Sequence, residues 1–137
     1  SLFYDVNTAS QLSASLNPDK LNHHNNIVEY NVNVSTIDNE IKSKIDLIKI
    51  DVEMHEFEVL EGMINIISNY RPSLIIEILT DELKEKIIDF MLKYNYEIFN
   101  INENKGLEKN NNEIKFENKN FLFIQHNKIN LIANFIN

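Results

Sequence analysis

The sequence predicts an α/β fold: a mostly parallel sheet with helices packed on it, closed by an antiparallel pair of strands. Three observations carry this. Apolar, β-rich runs recur at residues 46–52, 73–79, 96–101 and 121–125. Between the first three lie segments whose apolar residues repeat every three or four positions, the period of a helix with one buried face. Strands that alternate with helices are joined by right-handed crossovers and run parallel, whereas the last runs lie close enough in the chain to pair antiparallel.

The elements follow in order. Residues 1–26 are rich in Ser, Asn and Asp and read as loop with one short strand at 2–6. Residues 28–34 alternate apolar and polar, a strand period. Ser35 and Thr36 are good helix starts, Asp38 and Glu40 suit a first turn, and a short helix to about Lys44 follows. Leu47, Ile48, Ile50 and Val52 make 46–52 a strand buried on both faces. Lys49 inside it then needs a partner, and Glu77 on the next strand is the candidate. From His55 to Tyr70 a helix is expected, with Leu60, Met63, Ile64 and Ile67 as its stripe and Pro72 ending it. After strand 73–79, Thr80 caps a second helix with Asp81 and Glu82 in its first turn. Leu83, Ile87 and Met91, flanked by Ile88 and Leu92, are its buried face. Strand 96–101 follows, then a polar, Asn-rich mobile loop over 102–113 around Gly106. The closing strand 121–125 pairs either with a short strand at 114–116 or with 96–101.

With 137 residues the chain suits one domain, a loop-rich lead-in over 1–34 and an α/β part over 35–137. Its net charge of −8, with no run of Lys and Arg, argues against nucleic acid as a partner. The absence of cysteine excludes disulfides and thiolate metal sites and fits a cytoplasmic protein. No apolar run reaches the length of a membrane span. The opening SLFYDVNTASQLSAS lacks the pattern of a signal peptide and reads as a cut inside a longer protein or a processed end.

Candidate site residues cluster after the first buried strand. Asp51 stands at its carboxyl end, where it either caps the next helix or serves a site. Glu53, two residues on, points the same way in extended chain. His55 is either a general base or a solvated first-turn residue. His23, His24 and His126 have no evident partners.

The stretch that holds these residues, DLIKIDVEMHEFEVLEG at 46–62, resembles the signature of FkbM-type methyltransferases, roughly D-L-x-K-I-D-V-E-G-x-E-x-x-V-L-x-G. VNVSTID and ASQLSASLNP upstream, and RPSLIIEI and NFLFI downstream, are similar to the family's flanking segments. The resemblance implies the C-terminal part of a class I, Rossmann-like methyltransferase sheet that uses S-adenosylmethionine. The strands and Gly-rich turn that hold most of the cofactor normally precede this region, so the N-terminal cofactor-binding half is expected to be absent here. It implies methyl transfer to a hydroxyl of a small molecule or sugar, with Asp51, Glu53 and His55 catalytic and no metal. Met54 departs from the family's Gly, and there is no Gly-x-Gly. These 137 residues alone are therefore expected to be inactive. Two rival readings stand beside this one. One is a non-enzymatic interaction module that pairs, as a homodimer or with a partner, through strand 46–52. The other is an oxygen-ligand metal site at Asp51 and Glu53.

Overall fold

A computed structural model describes residues 2–5, 26–109 and 119–136. The chain forms two units, Ser1–Ser35 and Thr36–Asn137. In the first, β1 (Leu2–Asp5) pairs antiparallel with β2 (Ile27–Tyr30), Leu2 opposite Tyr30 and Asp5 opposite Ile27. The expected strand at 28–34 therefore stops at Tyr30. β1 offers four residues to pair with, and Val32 and Val34 lie exposed beyond the ladder. The Ser-rich segment, His23 and His24 fall outside the described residues.

The second unit carries a five-stranded sheet in the order β3-β4-β7-β5-β6. β3 (Leu47–Ile50) and β4 (Ser73–Glu77) are parallel. β7 (Asn120–Gln125) runs antiparallel to both β4 and β5 (Tyr96–Asn102), and β6 (Gly106–Lys109) antiparallel to β5. The sheet is thus mostly antiparallel, not mostly parallel as expected. β3, β4 and β5 do point the same way, as helical crossovers demand, but β7 returns between β4 and β5 and reverses the pairing. Side-chain chemistry explains the order. Phe121, Leu122, Phe123 and Ile124 are apolar toward both faces and all buried, so β7 suits the centre.

β3 takes an edge instead. Leu47 is 57% exposed and Val52 is also exposed; within β3 only Ile50 is buried. The strand expected to be buried on both faces is an edge strand, and Lys49 is exposed rather than buried. Its Nζ donates to Asn120 Oδ1 (3.0 Å) and lies 3.5 Å from Asp51 Oδ2, and its charge also acts on Glu77, the predicted partner.

The single helix expected over 55–70 is two: α2 (Glu56–Glu61) and α3 (Ile64–Tyr70). α1 (Ile37–Glu40), one turn capped by Thr36 and shorter than predicted, breaks it. The Asp38 N–H donates to the Gly62 carbonyl (3.0 Å), drawing it out of the helical ladder. The Asp38 carboxylate accepts from the N–H groups of Asn65 (2.9 Å) and Ile66 (3.0 Å), supplying partners to the free amides that open α3. A Cβ on Gly62 would come 3.3 Å from Thr36 Cβ, so the smallest residue lets the two segments approach. The break turns the stripe: Leu60, Met63 and Ile67 are buried as expected, but Ile66 is buried and Ile64 exposed.

α4 (Asp81–Leu92) is capped as predicted, the Thr80 hydroxyl accepting from the Leu83 N–H (3.3 Å). Ile87 and Met91 are buried, whereas Leu92 is exposed. The loop predicted over 102–113 contains β6. Its turn is three residues long, Asn102 Oδ1 accepts from the amides of Asn104 and Lys105, and Gly106 takes φ 93°, which favours glycine. The alternative strand at 114–116 lies outside the described residues. Of the two partners considered for the closing strand, β5 is the one that pairs.

The core has two sides. α2, α3 and α4 cover one face of the sheet through Leu60, Met63, Ile67, Ile87 and Met91. Short 3-10 turns at His126–Leu131 and Ala133–Phe135, not foreseen in the sequence, bring Ile129, Ile132 and Ile136 over Phe99, Leu107, Leu122 and Ile124 on the other. No helix among the described residues is long and apolar enough to cross a membrane.

Candidate active site

Parallel β3 and β4 end at the same edge of the sheet, and reversed β7 begins there. Ile50 is level with Ile76, which brings Asp51 beside Glu77, and Glu77 is the register partner of Asn120. The Asp51 and Glu77 carboxyls lie close enough together that Asp51 acts on the protonation of Glu77. Lys49 reaches Asp51 and Asn120 from the same strand end. Burial, first, then the hydrogen-bonding and charge of Asp51 push the Glu77 carboxyl above its ordinary value; Lys49 pulls the other way, and Glu53 adds the smallest push. Asp51 faces Lys49 and Glu77, and the cap position of α2, His55, makes no side-chain cap bond, so the helix-capping alternative does not hold.

A proton bound more tightly in the folded than in the unfolded chain makes stability fall as pH rises. For Glu77 that fall begins near its ordinary value of 4.5 and ends above its raised one. Glu97 acts on the other side. Its hydrogen bonds to His126 and Lys109 hold it below the same ordinary value, so its contribution is lost as pH falls below 4.5. In urea midpoints measured against pH, Glu77→Gln should remove the decline above 4.5 and leave the acid-side decline intact. An unchanged profile would mean that the Glu77 carboxyl is not held above its ordinary value in the folded chain.

The segment from Asp51 to α2 is a tight turn. Glu53 has φ 52° and Met54 φ 77°. Glu56, 1% exposed, holds it: Oε1 accepts from the N–H groups of Val52 (3.3 Å) and Met54 (3.2 Å). Glu56 Oε2 and His55 Nε2 are buried with no hydrogen-bond partner among the described residues. Of the three predicted site residues, Asp51 and Glu53 are exposed at the strand edge and both act on Glu77, while His55 is half-buried with Nε2 turned inward. Sequence reasoning named Glu77 only as a partner for Lys49, gave Glu56 no role of its own in the turn, and missed Asn120. The signal for Glu77 was its place at the end of the next apolar run, level with Asp51; nothing local marks Asn120. No group of three or more His, Asp or Glu among the described residues is placed to hold a metal ion.

Met54 pays for its backbone. A side chain in the left-handed region costs about 1–2 kcal/mol. Met54→Gly and Met54→Ala both lose the side chain, so their difference isolates the backbone. Gly should be the more stable by about 1 kcal/mol in urea unfolding, the reverse of the usual order in regular structure. Ala equal to or better than Gly would show that the turn relaxes.

The sequence model of the FkbM methyltransferase domain matches residues 2–98, more than half of the chain. The chain belongs to the FkbM methyltransferase family. No curated protein and no solved structure matches it. The family match runs from β1 into β5 and includes the whole Asp51 turn, so Met54 adopts positive φ where the family's signature has Gly. β6 and β7 lie beyond it.

FkbM methyltransferases in general use S-adenosylmethionine. The carboxylates of Asp51, Glu53 and Glu77 suit its positive sulfonium and its hydroxyls. The two glycines do not add a backbone cradle: Gly62 is closed against Thr36, and Gly106 turns the β5–β6 hairpin. The described residues thus fit the cationic and hydroxyl-bearing parts of the cofactor and not a close backbone approach to it.

Proposed function

We propose that this FkbM chain serves S-adenosylmethionine-dependent methylation of a hydroxyl on a small molecule or sugar, as the C-terminal wall of a class I, Rossmann-like cleft. Asp51 is the carboxylate nearest the reacting oxygen, with Glu53 and His55 as helpers in the same turn. The observation that carries the reading is the Asp51–Glu77 pair at the carboxyl edge of parallel strands, where ligands of open α/β sheets sit. S-adenosylmethionine supplies a methyl group on positively charged sulfur. A hydroxyl that attacks it must lose a proton, and in this reading Asp51, beside Lys49 and Glu77, accepts it. With no Gly-rich turn of their own, these 137 residues by themselves are inactive in this reading. Detectable methyl incorporation by them would overturn that part of it.

Calorimetry with S-adenosylhomocysteine tests the rest. Saturable binding that Asp51→Asn weakens supports the reading, and saturable binding that Asp51→Asn leaves unchanged sinks it. The second reading, a non-enzymatic module, is favoured by the β3 edge, where Leu47 and Val52 are exposed and one row of backbone groups is unpaired within the sheet. It expects no cofactor binding and a homodimer by light scattering that Leu47→Lys dissociates; a monodisperse monomer counts against it.

A further inference from the structure

The edge of the sheet opposite Asp51 holds a groove of about 500 Å³, within the ~300–1,000 Å³ of small-ligand sites. Tyr96 opens β5 level with Gln125, the end of β7, and Lys109 ends β6, so this is the amino edge of the parallel strands. One wall is apolar: Ile88 and Leu92 of α4 with Ile98 of β5. Leu92 belongs to the apolar stripe of α4 yet is 54% exposed. The other wall is polar. Glu97 Oε1 is 3.0 Å from His126 Nδ1 and Oε2 3.0 Å from Lys109 Nζ. Both oxygens of Glu97 are thus engaged, while the Lys109 ammonium keeps further N–H groups for a ligand.

Carboxylates outnumber cations at one edge and cations outnumber carboxylates at the other, although Asp46 and Glu97 lie at the amino edge and Lys49 beside Asp51. Asp51, Glu53 and Glu77 gather at one. Arg71, Lys93 and Lys128 stand at the other with Lys109, in the segments that enter β4 and β5 and leave β7, with Lys128 Nζ donating to the Arg71 carbonyl (2.6 Å). On a chain of net charge −8, the amino edge is where an anion is drawn. Glu97 inside the groove opposes a doubly charged head more than a singly charged one, and the apolar wall wants hydrocarbon.

We infer that this groove is a second ligand site, for a small amphipathic carboxylate. The carboxylate sits on Lys109 and His126, and the hydrocarbon lies along Ile88, Leu92 and Ile98. The site is separate from the Asp51 edge and independent of the methyl-transfer reading.

Titration of the chain with 4-phenylbutyrate, followed by amide NMR, decides. Saturable shifts are expected at Asn95, Ile98, Lys109 and His126, with 4-phenylbutan-1-ol at least about tenfold weaker. Leu92→Glu and Lys109→Gln, both at exposed positions, should each weaken the carboxylate about tenfold and leave the β3–β4 signals unmoved. The inference fails if no saturable shift occurs, if the alcohol binds equally, if the shifts centre on Asp51, or if both variants bind like the parent. Inorganic phosphate binding as tightly as the carboxylate would make the groove a plain anion site and also overturn it.

Discussion

Phe123→Ala should cost about 3–5 kcal/mol. Phe123 lies mid-way along the central strand, fully buried, level with Leu74 on β4 and Ile98 on β5. Truncation removes a ring that no neighbour is free to replace and opens a cavity between the sheet and its helices. A domain of this size has about 5–15 kcal/mol in hand, so the variant should fold marginally at 37 °C. Leu47→Ala is the control. It removes an apolar side chain of the same sheet, but from an exposed edge position, and should cost less than about 1 kcal/mol. Urea denaturation with equal slopes for the two variants gives the comparison. Similar costs would mean that β7 is not the centre of the sheet.

Glu56→Ala should be the next largest, about 2–3 kcal/mol. Its Oε1 accepts both amides of the turn after β3, and that turn keeps Glu53 and Met54 at positive φ. Without the acceptor, two N–H groups lose their partner while the backbone strain persists. Glu56→Gln keeps a carbonyl oxygen in place and gives an N–H donor to the position of Oε2, which has no partner among the described residues. It should lie within about 1 kcal/mol of the parent. If Ala is as stable as Gln, the turn holds itself. Where S-adenosylhomocysteine binds the parent, the Ala variant should also bind it less well, because the same turn carries Asp51 and Glu53.

Local chemistry made much of this protein legible. The motif at 46–62 gave the family from residues alone, and the family match covers it. Thr80 and Thr36 were recognisable caps because a side-chain oxygen three residues ahead of a free amide acts on its own neighbours. The β-rich runs became strands because alternation and branching favour extended chain wherever the strand ends up.

The misreadings arose where distant segments decide. An apolar run is equally consistent with a central or an edge strand; what separates β7 from β3 is that every inward and outward residue of FLFI is apolar, while LIKI carries Lys49. The helix over 55–70 kept its period through Gly62, and it broke because Asp38, more than twenty residues away, offered its N–H to one carbonyl and its carboxylate to two amides. Glu77 and Asn120 entered the candidate site through strand register alone. By itself, then, the sequence determined the family, four of the five strands of the larger sheet, the caps and the position of Asp51, because these rest on contacts within a few residues. Strand order, the reversed β7, the broken helix and the pairing of Asp51 with Glu77 were decided only in the tertiary structure, because burial and hydrogen-bond satisfaction are shared among segments far apart in the chain.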